Sequence, residues 1–182
     1  FNPDQINTHW VGDITYIRSH QGWSYLATVL DLGSREVVGY ALSQTPDAKL
    51  AKQALTHAVK MQQPDTSKLM FHSDQGVQYS AELFKKTLSI HDITQSMSRR
   101  ANCWDNSVQE RFFRILKSDY LNGLSFINHS SVIGAVEYYI RYYNNIKNSL
   151  CHWKYNSSPE TTTIIQSSLE FLQKYLTITE YS

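Results

Sequence analysis

Several features that would classify a chain at a glance are scarce in this one. Two cysteines stand in 182 residues, Cys103 and Cys151, and they form no Cys-x-x-Cys pair. Neither a disulfide framework nor a zinc knuckle is therefore supported, and a reducing cytoplasm is the default compartment. With four prolines and seven glycines, no low-complexity linker can be read, and no internal repeat is present. No apolar run approaches the roughly 18 residues of a membrane-spanning helix and no signal-peptide pattern is read, so no membrane is expected. Charge of one sign is not in excess either. The net charge of +1 argues neither for nor against a polyanionic partner, and local patches must decide. The chain begins with Phe1 rather than Met, which predicts a fragment of a longer protein.

What is present is aromatic surface. Twelve Tyr and four Trp contribute to an aromatic content of 13%, enough apolar area for one compact domain of this length. Residues 9–17 read as a strand, with Trp10, Ile14 and Tyr16 apolar and Asp13 among them. After Gln21-Gly22, residues 23–32 form a second, almost continuously apolar strand, and after Gly33-Ser34, residues 36–42 a third. Strands joined by such short turns must be antiparallel neighbours. A helix with Leu50, Ala54, Ala58 and Met61 on one side ends before Pro64. A strand at 69–73, a helix at 81–90 and a short strand at 94–97 follow. The pattern predicts an α/β fold, a mixed sheet covered by helices. Beyond it, Asp105 or Asn106 can cap a helix that carries Glu110 and Lys117, a Tyr-rich helix is expected over 131–145, and Ser158-Pro159-Glu160 signals a last short helix. One domain over 1–148 with a helical tail over 149–182 is the economical division.

The chemistry concentrates between Phe71 and Lys117. Asp74 ends a buried strand and meets a glycine turn at once. Glu110 and Lys117 lie seven residues apart, within about 20° of each other around a helix, opposite a side formed by Val108, Phe112, Ile115 and Leu116. Asp13 interrupts an apolar strand, where an unpaired charge would be costly. Three carboxylates placed in this way suggest a divalent-metal site, since magnesium is held by a few carboxylates together with substrate phosphates, and paired ions drive in-line displacement at phosphorus. The plain alternative is three unrelated surface acids among sixteen. Lys117 reads as a phosphate contact or else a solvated lysine, His72 as a residue near the site or else a packing residue, and Asp31 as a turn cap. Arg99, Arg100, Arg111 and Arg114 form the one local basic cluster, flanking the acids where a phosphate backbone would lie. Tyr138, Tyr139, Tyr142 and Tyr143 read as helix packing.

Several sequence words then appear together and in order. Trp10-Val11-Gly12-Asp13-Ile14-Thr15-Tyr16, His72-Ser73-Asp74-Gln75-Gly76-Val77-Gln78-Tyr79, Ser96-Met97-Ser98-Arg99-Arg100, Asn102-Cys103-Trp104-Asp105-Asn106 and Glu110-Arg111-Phe112-Phe113 with Leu116-Lys117 closely resemble insertion-sequence transposases of the IS-three type, which carry the retroviral-integrase catalytic core. The resemblance covers residues 8–160. It implies a ribonuclease-H-like mixed five-stranded sheet, the first three strands antiparallel, flanked by helices and followed by a helical C-terminal tail. It implies an acidic triad of Asp13, Asp74 and Glu110, with Lys117 as the neighbouring basic residue. It further implies Mg2+ or Mn2+ as cofactor, two ions with DNA bound, and a reaction in which water cuts one strand and the resulting 3′-hydroxyl attacks another phosphodiester. The implied partners are the element's DNA ends, target DNA and further copies of the chain in a homo-multimer, in a bacterial cytoplasm at the nucleoid. Lys147 stands where such proteins usually have Arg and Ser149 where they usually have His, a departure in the tail. Another metal nuclease of the same fold and a non-catalytic DNA-binding relative are the rivals. A tyrosine recombinase is disfavoured, because no histidine is followed by Arg at the His-x-x-Arg spacing.

Overall fold

Three β-rich runs separated by turns form a meander: β1 (His9–Ser19), β2 (Gly22–Asp31) and β3 (Val37–Ser43). They pair antiparallel in succession, with Asp13 opposite Thr28 and Tyr16 opposite Tyr25. The structure, a computed structural model, describes residue 3 and residues 5–98 and 107–155, with residues 146–155 by backbone only. Arg99, Arg100, the helix cap at Asp105 or Asn106, the side chains of Lys147 and Ser149, and the helix expected at Ser158 lie outside the described residues.

After the meander come α1 (Ala48–Gln62), β4 (Met70–Ser73), the one-turn α2 (Val77–Ser80), α3 (Glu82–Ile90) and β5 (Thr94–Met97). The sheet order is β3-β2-β1-β4-β5, with β4 parallel to both β1 and β5. This is the mixed five-stranded sheet expected, its first three strands antiparallel. Asp47 caps α1 by accepting the Leu50 N–H at 3.0 Å, satisfying an amide that the first turn leaves without a partner. Met61, placed by its spacing on the apolar side of α1, is instead 63% exposed, and the buried stripe is Leu50, Ala51, Ala54, Leu55 and Ala58. Small residues in that stripe bring the helix close to β3. A side chain at Gly39 would collide with the backbone at Ala54 and Ala58.

Strand alternation sends the two faces of the sheet to different cores. Trp10, Ala27, Val29 and Phe71 pack with α1 and α3 through Leu50, Leu55, Phe84 and Leu88. On the other face Ser24 meets His129 at 2.8 Å and Thr28 meets Gln109, which places α4 (Ser107–Ile115) and the start of α5 (His129–Tyr155) there.

Three helical expectations need correction. The helix carrying Glu110 does not run regularly through Lys117: α4 stops at Ile115 and the chain continues as a π-helical turn, Leu116–Tyr120. Tyr120 stacks on Tyr138 and Tyr139, with centroids 6.0 and 5.3 Å away, and this ring stack accompanies the wider turn. The buried side of α4 is also rotated from the side read in the sequence. It consists of Gln109, Phe112 and Phe113, continued by Leu116, while Val108 and Ile115 are half-buried. The Tyr-rich helix α5 is longer than residues 131–145, reaching from His129 to Tyr155.

The chain divides into two units between Ile140 and Arg141. The sheet and its flanking helices belong to the first. In the second, the described residues continue the α5 backbone.

Candidate functional site

The site begins with a difference in strand length. β4 ends at Ser73, paired with Gly12, while β1 runs on to Ser19. Asp13 and Asp74 are the residues one step past that last parallel pair, so both carboxylates emerge where β4 stops and β1 continues. This is the carboxyl end of parallel strands, where open α/β sheets commonly place their ligands.

Local hydrogen bonds aim both side chains. Asp13 Oδ1 accepts the Ile14 N–H at 2.7 Å, and Asp74 Oδ1 accepts the Gly76 N–H at 2.9 Å. Gly12 keeps β1 thin at this point. A Cβ there would run into the Phe71 ring, which lies in contact with Tyr79 and Phe84 at centroid distances of 6.1 and 5.3 Å.

Asp13 and Asp74 line one cavity of about 230 Å³ with Tyr16, Pro46, Gln78 and Tyr79. Gln78 closes one rim by donating to the Pro46 carbonyl at 2.9 Å. Tyr79 is buried. Its phenol pKa is raised well above 10, first by burial and then by the negative charges of Asp13 and Asp74, so the ring stays neutral beside the two acids.

The remaining residues singled out in the sequence lie around this pair. Glu110 is exposed on α4 and does not line the cavity. Among the described residues, no group of three or more His, Cys, Asp or Glu side chains stands close enough together to hold a metal ion. Lys117 places its Nζ 4.5 Å from the centroid of Tyr16, a cation over the ring that forms one wall of the acid-lined cavity. Burial lowers the Lys117 pKa. Arg111 and Arg114 are exposed on α4. His72 is buried, with Nδ1 3.0 Å from the Ser96 hydroxyl across the β4–β5 ladder, and serves strand packing. Asp31 caps its turn, accepting from Ser34 N at 3.0 Å and from Asn7 N at 3.1 Å.

Three residues near the site were not visible as such in the sequence. Tyr79 was one letter of a motif, and its burial between two acids became evident only once α2 was placed. Tyr16, read only as an apolar residue of the first strand, is 57% exposed. Gln109 is fully buried and its amide donates to the Thr28 hydroxyl, directly across the ladder from Asp13. The i, i+3, i+4, i+7 spacing of Gln109, Phe112, Phe113 and Leu116 was the available signal, obscured because glutamine is seldom assigned to a core.

Comparison with known proteins agrees with this architecture. The model of the integrase core domain matches residues 3–103, and a second integrase core domain model matches residues 110–162. The chain is 39% identical over 150 residues to the InsK protein for insertion sequence element IS150 of Escherichia coli (strain K12), covering 82% of this chain and 53% of InsK. It is 38% identical over 134 residues to the transposase InsF for insertion sequence IS3A of the same organism, covering 74% of this chain and 46% of InsF. The chain thus spans about half the length of these relatives. Among solved structures, the catalytic domain of Mos1 mariner transposase superposes with a TM-score of 0.58 at 19% identity, covering 74% of this chain and 70% of that one. The HTLV-2 integrase catalytic core domain in complex with magnesium superposes with a TM-score of 0.50 at 18% identity, covering 62% and 68%. These two likenesses support the ribonuclease-H-like fold. With a family model spanning more than half of its length, the chain belongs to the integrase core domain family, with insertion-sequence transposases of the IS-three type among its relatives.

Proposed function

We propose that this chain is the catalytic core of an insertion-sequence transposase, cutting DNA strands at the element's ends and joining them to target DNA through Asp13, Asp74 and Glu110. The observation that carries the reading is the pair Asp13 and Asp74, each one step past the last parallel β1–β4 pair, where β4 stops and β1 continues, and lining a single cavity. The donor set fits a hard divalent cation, Mg2+ or Mn2+. The cavity offers carboxylate oxygens and has no Cys or His in its lining, which is the ligand chemistry such ions select. When bound, two such ions activate the attacking oxygen and stabilise the leaving oxygen of an in-line displacement.

The protein's own part is placement. Asp13 is held within β1 and Asp74 just past the end of β4, each with a local backbone bond, so the pair is organised before substrate arrives. Tyr79, kept neutral, adds no third negative charge at the floor of the cavity. Glu110, exposed on α4, closes the donor set when metal and DNA are present. Lys117, and Arg111 and Arg114 on the exposed side of α4, hold the phosphate backbone, joined by Arg99 and Arg100. Two DNA ends handled together imply a homo-multimer in the working complex, and the HTLV-2 core is itself described in a dimeric form. No helix among the described residues is long and apolar enough to cross a membrane, consistent with work on DNA at the nucleoid of a bacterial cytoplasm. The division into a core over 1–148 and a tail over 149–182 remains part of this proposal.

The test is cleavage and strand transfer on a labelled duplex bearing the element's terminal repeat, with Mg2+ or Mn2+, comparing the chain with Asp74→Asn. Metal-dependent joining that disappears in the variant supports the reading. Binding without any cleavage under either metal would replace it with a purely DNA-binding role.

A further inference from the structure

Past the acid pair, the turn end of the β1–β2 hairpin carries a row of alternating chemistry that starts from Lys117 and continues through Tyr16, Trp23 and Arg18, three exposed residues that have no part in the proposed cutting site's acid and phosphate contacts. Lys117 Nζ lies 4.5 Å from the Tyr16 centroid. Tyr16 meets Trp23 edge-on at 5.2 Å and 86°, and the Arg18 guanidinium carbon lies 4.8 Å from the Trp23 centroid. Tyr16 and Arg18 point from the same face of β1, and Trp23 stands opposite Arg18 in the ladder. Trp23 is 43% exposed and Tyr16 57%, a large aromatic area left in water by a fold that buries Trp10 completely.

We infer that this row, Lys117–Tyr16–Trp23–Arg18, is a docking surface for an unpaired DNA strand leading into the Asp13–Asp74 cavity. Charge, continuity and rigidity all favour that occupant. The hairpin from Ile14 to Tyr25 contains no Asp or Glu, so its charged side chain is a cation, complementary to a phosphate chain. Tyr16 belongs both to the row and to the cavity wall, which makes the surface continuous with the carboxylates. The hairpin tip is pinned, with His20 N donating to the Phe126 carbonyl at 2.9 Å and His20 Nε2 3.1 Å from the Ser125 hydroxyl. Half-exposed rings flanked by cations are the combination that holds single strands, since bases stack on aromatics with little regard to sequence while cations follow the backbone. A paired duplex keeps its base faces covered and gains less from such rings.

The inference rests on the DNA-cutting reading for its choice of ligand, and its test stands apart from activity. A fluorescein-labelled oligothymidylate is titrated with the full chain in EDTA, followed by anisotropy, beside a blunt duplex of equal length. The oligothymidylate binds more tightly than the duplex. Trp23→Leu weakens it roughly tenfold, within the range of one lost stacking contact, and Trp23→Phe restores most of the binding. Arg18→Gln lowers the slope of log affinity against log salt by about 0.7, as expected for one single-strand phosphate contact. Should Trp23→Leu misfold by circular dichroism, the salt slope of Arg18→Gln carries the test. Unchanged binding in folded Trp23→Leu overturns the surface, as does an unchanged salt slope in Arg18→Gln, or a dimer by light scattering that Trp23→Leu or Arg18→Gln dissolves. Metal-dependent cleavage with unchanged binding in these variants removes the surface and keeps the enzyme. Weakened binding in variants of a chain that never cleaves keeps the surface and removes the enzyme.

Discussion

The Gln109 amide donates to the hydroxyl of Thr28, so the residue before Glu110 is tied to the residue facing Asp13 across the β1–β2 ladder. This fixes the depth and rotation of α4 against β2, the strand paired with the one that carries the first acid. Among the described residues, the buried side-chain oxygen Oε1 of Gln109 has no hydrogen-bond partner, so the bond is retained despite a desolvation cost.

Breaking the tie from one side leaves a buried polar group alone. Gln109→Met and Thr28→Val are each expected to lower unfolding free energy by about 1–2 kcal/mol, and the double variant by clearly less than their sum. Denaturant titration of the four proteins measures the coupling, and strictly additive losses would show that the two side chains act independently.

Glu110→Gln should abolish strand cleavage and change stability by no more than about 0.5 kcal/mol, since the side chain is exposed on α4. A variant that still cuts the terminal-repeat duplex would remove Glu110 from the proposed triad.

Divalent metal should stabilise the folded chain. At one hundred times its dissociation constant, an ion bound by the native state alone adds about 2.7 kcal/mol. Thermal melts with and without millimolar Mg2+ or Mn2+ should therefore separate, and the separation should vanish in Asp74→Asn. Identical melts would count against Asp13 and Asp74 as ligands.

Tyr79 makes stability depend on alkaline pH. Its folded pKa is raised above the unfolded value, so its contribution is complete below about pH 10 and is lost as pH rises toward and through the folded value. Tyr79→Phe should thus become more stable relative to the parent chain above that point. Parallel stability curves from pH 9 to pH 11 would mean that the phenol ionises as readily in the fold as out of it.

Gly12→Ala drives a methyl into the Phe71 ring. A loss of about 1–3 kcal/mol is expected, together with weaker metal stabilisation because the neighbouring residue is Asp13. Unchanged denaturation and metal response would mean that Phe71 has room to move aside.

Much of the architecture was legible in the sequence because short-range chemistry decides it. Gly33-Ser34 and Pro64 mark turns and ends whatever the surroundings, and β5 begins and ends where its residues suggest. Asp13 and Asp74 could be marked because a carboxylate at a buried strand carries its own anomaly. Tyr16 could not be placed, since its exposure follows from β4 stopping at Ser73, a fact about another strand. Gln109 was hidden by its residue type. The π-helical turn at Leu116–Tyr120 accompanies ring stacking with Tyr138 and Tyr139, residues far along the chain, which local propensity does not contain.

The parallel register of β1 and β4 makes the site unequally tolerant of genetic change. Asp13 and Asp74 meet by counting along two strands from a shared origin at His9 and Met70, so apolar exchanges beneath them can alter packing while the acids keep their places. Deleting one residue from either strand would move one acid a step along and turn its side chain to the opposite face. Lineages of this fold should therefore accept substitutions between His9 and Asp13 far more readily than insertions or deletions.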